Sequence, residues 1–110
     1  MTNEERSDVL PGTLDLMILQ TLATLGPQHG YAIAARLEQV SSGALQLNMG
    51  TLYPGLVRLE AKGFVTARWG QTDSNRRARF YDLTAKGRRQ LERERQQWQR
   101  TAGIMTRVLE

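Results

Sequence analysis

The chain contains no cysteine, which removes disulfides, thiol catalysis and cysteine-ligated zinc together. It has a single histidine, His29. Nothing around His29 has metal-ligand spacing, so it reads as a helix-start or packing residue and no metal site is expected. No apolar run approaches about 18 residues, so no membrane span is expected. Residues 1–6 lack the character of a signal peptide, and a cytoplasmic location is the expectation. No nucleophile has an evident base beside it. An enzyme is therefore disfavoured, and no cofactor is implied.

What is present fits one small domain of 110 residues. A chain this short buries only a modest core, so a dimer would help it. The net charge of +4 is unevenly spread: −3 over residues 1–40, +3 over 41–83 and +4 over 84–110. Basic charge begins where the central segment begins, which makes a polyanionic partner plausible on charge grounds.

That central segment, residues 47–63, reads as one helix with two faces. At about 100° per residue, Leu52, Leu56 and Leu59 fall together on one side. Gly50, Thr51, Pro54, Arg58, Ala61 and Lys62 fall on the other, a small, polar or basic face without a carboxylate. Such a face suits a DNA major groove, because phosphates repel acids and small residues allow close approach. Pro54 complicates the start. With Asn48 as N-cap, the proline ring would meet the Gly50 carbonyl; with Thr51 as cap, Pro54 falls in the tolerant first turn. The expected start is at 50–51, or the first turn is distorted.

The flanking elements follow in order. Residues 1–10 are expected to be a flexible N-terminus. A helix starts at Pro11, Gly12 and Thr13, with Gly12 or Thr13 near the cap and Asp15 in its first turn. Residues 14–25 are apolar on nearly every side, so part of their cover is expected from a second subunit. Gly26 and Pro27 end that helix. A second helix follows over 29–40, and residues 44–47 alternate like a very short strand. After Gly63, residues 64–70 and 76–83 form a β-hairpin closed by residues 71–75. Arg76, Arg77 and Arg79 lie at or near its tip. Thr84 caps a last helix over about 85–108, in which Leu91, Trp98, Ala102, Met105 and Leu109 repeat as a heptad-like seam. That seam needs a partner, and the simplest is its own copy.

Three helices, a two-stranded wing and a long helix make a mainly α winged helix-turn-helix. Residues 11–84 form the DNA-binding domain and 85–110 the C-terminal dimerisation helix. The central helix is the reading helix, and the wing arginines reach phosphates or a minor groove. The DNA-binding set is Asn48, Gly50, Thr51, Tyr53, Pro54, Arg58, Lys62, Arg76, Arg77 and Arg79. Thr51 and Tyr53 are the expected base or backbone-positioning contacts, with Tyr53 on a flank from which it could equally pack inward. Arg58 and Lys62 are the expected phosphate contacts. The dimer set is Leu14, Ile18, Leu91, Trp98, Ala102, Met105 and Leu109.

Five stretches carry a more specific resemblance: LPGTLDL at 10–16, HGYAI at 29–33, GTLYPGLVRLE at 50–60, GFV at 63–65 and NRRARFYDLTAKG at 75–87. Together they resemble the PadR family of bacterial transcription regulators, over residues 9–110, and the short tail is similar to its short-tailed members. The resemblance implies a dimeric repressor on a palindromic duplex, released by an effector that is often a small aromatic compound. It also implies a role for Trp98, since paired aromatics of this helix line a pocket at the dimer centre in some members; packing of the interface is the alternative role. The competing reading is a winged-helix protein-interaction module without specific DNA binding, whose basic face meets an acidic partner.

Overall fold

A computed structural model describes residues 11–110; the expectation for residues 1–10 lies outside them. The elements are α1 (Pro11–Leu25), β1 (Gln28–His29), α2 (Gly30–Val40), α3 (Met49–Ala61), β2 (Val65–Gln71), β3 (Arg77–Leu83) and α4 (Ala85–Leu109). The strands form one antiparallel sheet in the order β1-β3-β2. The hairpin register pairs Val65 with Leu83 and Trp69 with Arg79.

α1 sits at the centre of the core. Leu14, Ile18, Leu19 and Leu22 are buried against Ile33 and Leu37 of α2, Leu52, Leu56 and Leu59 of α3, Val65, Tyr81 and Leu83 of the hairpin, and Leu91 of α4. The apolar character of α1 is thus largely accounted for within one chain. This corrects the assignment of Leu14, Ile18 and Leu91 to a dimer interface: all three are at most 7% exposed in the single chain, so little of them is left for a partner to cover. α1 also begins earlier than expected, at Pro11, where the fixed φ of proline suits a first helical position. Asp15 consequently lies beyond the first turn.

Two local devices position α3. The α2–α3 connection turns through left-handed Ser42 and Gly43, at φ 53° and 84°, and the Gly43 amide donates to the Glu38 carbonyl at 2.9 Å. Residues 44–47 are irregular; the extra strand falls instead at Gln28–His29, on the outer edge of β3. α3 then starts at Met49, one residue before the expected window. The Asn48 side chain accepts from the Thr51 amide at 2.9 Å, and this cap overrides the objection raised by Pro54. Pro54 sits exposed in the second turn, where it gives up the one helix bond its amide would have made to Gly50.

His29 caps α2, its Nδ1 accepting from the Ala32 amide at 3.3 Å, with its ring edge-on to Phe80. Thr84 caps α4 as expected: its hydroxyl accepts from the Gly87 amide at 2.9 Å and donates to the Gly63 carbonyl at 2.7 Å. Lys86 donates to the Lys62 carbonyl at 2.9 Å. Gly87 packs so closely on the Phe64 carbonyl that a Cβ would overlap it. The start of α4 is therefore clasped to the end of α3.

Candidate nucleic-acid interface

The outward face of α3 is exposed along its first half. Gly50, Thr51, Tyr53 and Pro54 all face water, and Leu52, Leu56 and Leu59 hold the opposite side in the core. No acid lies in the first turn. The free amides and small side chains at this end are what a helix needs to approach base edges. Asn48 is exposed, and its side-chain oxygen is committed to the cap.

The second half of α3 is different. Arg58 Nη2 donates to Asp15 Oδ1 at 2.9 Å, from a helix 43 residues earlier in the chain. Asp15 is 9% exposed, so the pair anchors α1 to α3. The two helices also cross closely at buried Gly55, where a Cβ would lie 3.2 Å from Ile18 Cδ1. The expectation of an acid-free basic face therefore fails at Arg58, because a carboxylate arrives from another element. Lys62 is exposed at the C-cap, and its own carbonyl is taken by Lys86.

The wing stands beside α3. Its turn closes through a Thr72 amide to Arg76 carbonyl bond of 2.8 Å, with Asn75 at φ 65°. The three wing arginines occupy three environments. Arg76 is exposed at the turn. Arg77 lies over the Trp69 indole, 4.6 Å from its centroid. Arg79 donates to Glu60 of α3 at 3.1 Å, lies 5.9 Å from the same indole, and has its Nε buried without a hydrogen-bond partner among the described residues. Behind Arg79, burial pushes the Tyr81 phenol above its usual range; Arg79 opposes the shift, and Tyr53 and Glu60 add to it. Tyr53, Glu60, Arg79 and Tyr81 thus share the seam between α3 and the wing. On the other side of the hairpin an open groove of about 1020 Å³ lies between its turn and the start of α2, with His29, Tyr31, Phe80 and Arg76 among its walls.

Residues 18–93 match the transcriptional regulator PadR-like family. The chain belongs to that family. PadR-like proteins are DNA-binding transcription regulators rather than enzymes. A 37.1 kDa protein from transposon TN4556 of Streptomyces fradiae is 43% identical over 88 residues, 80% of this chain and 24% of that protein; the chain thus spans about a quarter of its length. A Lysinibacillus sphaericus protein is 27% identical over 96% of this chain and 95% of its own length. Among solved structures, a PadR family regulator from Eggerthella lenta superposes with a TM-score of 0.75 at 29% identity, covering 90% of this chain and 83% of that one. A transcriptional regulator from Clostridium thermocellum gives a TM-score of 0.83 at 25% identity, covering 94% and 100%.

The PadR-like match ends at residue 93, close to where α4 leaves the core. Leu91 is buried, whereas Trp98 is 53% and Leu109 76% exposed, with Met105 also bare and Ala102 half-covered. The seam therefore divides: its first residue belongs to the core and the rest stands in water. No lining residue of the groove beside the hairpin comes from α4, so Trp98 plays no part in that groove. Among the described residues no group of three or more His, Cys, Asp or Glu is placed to hold a metal, and no helix is long and apolar enough to cross a membrane. Sequence reasoning missed three site-shaping residues: Asp15, Glu60 and Trp69. Each acts through a partner distant in the chain or on the neighbouring strand, where no local periodicity announces it.

Proposed function

We propose that this PadR-like chain is a homodimeric repressor of transcription in the cytoplasm that grips a palindromic operator. The N-terminal half of α3 enters the major groove, with Thr51 and Tyr53 nearest the bases. Arg76 and Arg77 of the wing and Lys62 lie against phosphate. The observation that carries this reading is the pairing of an exposed, acid-free helix end with an arginine-bearing wing on one side of a compact core. Two copies would place two reading helices about 34–36 Å apart on successive major grooves. The test is binding to operator fragments selected from native genomic DNA, titrated against salt. A steep fall in affinity with salt, as several phosphate contacts require, supports the reading; salt-independent or absent binding would favour a protein-interaction module instead.

The dimer is proposed to form through the bare part of the α4 seam, Trp98, Ala102, Met105 and Leu109. These residues repeat at spacings of four, three and four, and a stripe of this size in water suits burial against its own copy. Replacing Met105 with glutamate is expected to shift sedimentation from dimer to monomer at micromolar concentration while the winged domain stays folded. A wild-type protein that sediments as a stable monomer would overturn it. The proposed release mechanism is a small aromatic effector seated between paired Trp98 side chains. Its signature would be a change in Trp98 fluorescence that tracks loss of DNA across a series of phenolic compounds, read in a Trp69→Phe background.

A further inference from the structure

The three wing arginines were expected to act alike, and their surroundings separate them. Arg79 has its charge matched by Glu60. Arg76 is exposed and has no salt bridge among the described residues. Arg79 also approaches the Trp69 ring, at 5.9 Å, but among the described residues Arg77 alone combines a charge without a carboxylate partner with the closer support of that indole, at 4.6 Å. Trp69 is itself 58% exposed. It alternates with Val65 and Ala67 on the sheet face that packs toward the core, and its cross-strand partner Arg79 reaches α3. The Trp69–Arg77 stack is therefore the outward continuation of the face that carries the reading helix.

We propose that Trp69 is a positioning residue that holds the Arg77 guanidinium ready for a phosphate on the same duplex that α3 reads. The inference rests on the DNA-binding reading above. A guanidinium over an aromatic ring keeps its N–H donors available at its edge. A free arginine must give up rotamer freedom when it grips a phosphate; a stacked one has already given up part of it. Trp69 thus strengthens a contact that it does not make itself.

The test is a double-mutant cycle on a random-sequence duplex and on a selected operator, comparing wild type, Trp69→Ala, Trp69→Phe, Arg77→Ala and the double variant Trp69→Ala/Arg77→Ala. Trp69→Ala is expected to weaken both duplexes by roughly two- to five-fold, the range of an exposed cation–π contact. Trp69→Phe should recover part of that loss. In the Arg77→Ala background, removing Trp69 should have no further effect. In the DNA-free protein, the Arg77 side-chain Nε–H resonance should carry a ring-current shift that Trp69→Ala abolishes. Additive losses in the cycle would show that the indole touches DNA on its own account and would overturn the proposal, as would unchanged affinity in Trp69→Ala. Should Trp69→Ala fail to fold, Trp69→Phe carries the cycle: a loss that persists without Arg77 rejects the role. A wild-type protein that binds no duplex at all would reject the DNA-binding reading and this role with it, whereas normal binding with an additive cycle rejects the role alone.

Discussion

At its N-terminal end α3 is held by one side-chain bond, from Asn48 to the Thr51 amide. At its C-terminal end it is held by Asp15 through Arg58, by Arg79 through Glu60, and by Lys86 through the Lys62 carbonyl. The same helix therefore has few side-chain bonds where it is exposed to a partner, its buried Leu52 aside, and is gripped by charges where it meets the rest of the chain. The difference teaches how to read its charges. A basic residue on a reading helix is not by that fact a phosphate contact, because carboxylates from other elements compete for it at full-time local concentration. In the proposed complex the paired charges of Arg58 and Glu60 set the pose of the helix, and the exposed side chains of the free half, with exposed Lys62, are left to meet the DNA.

The comparison breaks most visibly at Thr51, which stands in the free half opposite the Leu52, Leu56 and Leu59 stripe. Thr51→Glu places an acid before phosphate. Operator affinity is expected to fall by more than roughly a hundredfold, on the order of 3 kcal/mol. Thermal stability should change by less than about 0.5 kcal/mol, as for an ordinary surface substitution. Anisotropy titration and thermal unfolding on one preparation check both halves of the statement, and an unfolded variant or an unimpaired one would mean that the free face has been misplaced.

In the gripped half the expected effect shifts from binding to stability. Asp15→Ala removes the carboxylate that Arg58 serves and leaves a guanidinium half in water with no partner. A loss of about 1–3 kcal/mol in denaturant unfolding is expected, smaller than for a fully buried pair because Arg58 remains partly solvated. If Arg58 were instead a phosphate contact in the DNA complex, Asp15→Ala would free it and tighten binding at low salt, which makes the sign of the affinity change decisive. Arg77→Ala is expected to weaken operator and random duplex about equally and to lower the salt slope by roughly one, the mark of a lost phosphate contact. Arg79→Ala is the smallest of the set. Its charge is already matched by Glu60, so stability should move by less than about 1 kcal/mol and the salt slope by much less than one. A slope change equal to that of Arg77→Ala would erase the distinction between the two arginines.

Much of this architecture is legible in the residues themselves, and the legible parts share a cause. Leu52, Leu56 and Leu59 declare the buried face of α3 because helical period maps spacing onto direction. Thr84 declares the start of α4, and the residues of 71–75 declare the hairpin turn, because caps and turns are local chemistry. The contacts that shape the site are not local. The Asp15–Arg58 and Glu60–Arg79 bonds span 43 and 19 residues, and each depends on how two elements cross. Leu14 and Ile18 illustrate the same limit from the apolar side: their composition calls for cover, and only the packing tells whether the chain itself supplies it. At Asn48 and Pro54 two local rules conflict, and the capping side chain prevails.

The clasp formed by Thr84, Lys86 and Gly87 makes α4 a lever as well as an interface. Beyond buried Leu91, residues 92–109 extend about 27 Å from a base fastened to the core and to the end of α3. A tilt of about 10° at that base displaces the far end by about 5 Å, more than one base-pair rise of about 3.4 Å. Conversely, a partner that fixes the far end against a second copy fixes the heading of α3 to within a few degrees. The angle at which two such levers cross would then act as the gauge that decides how far apart the two reading heads stand along a duplex.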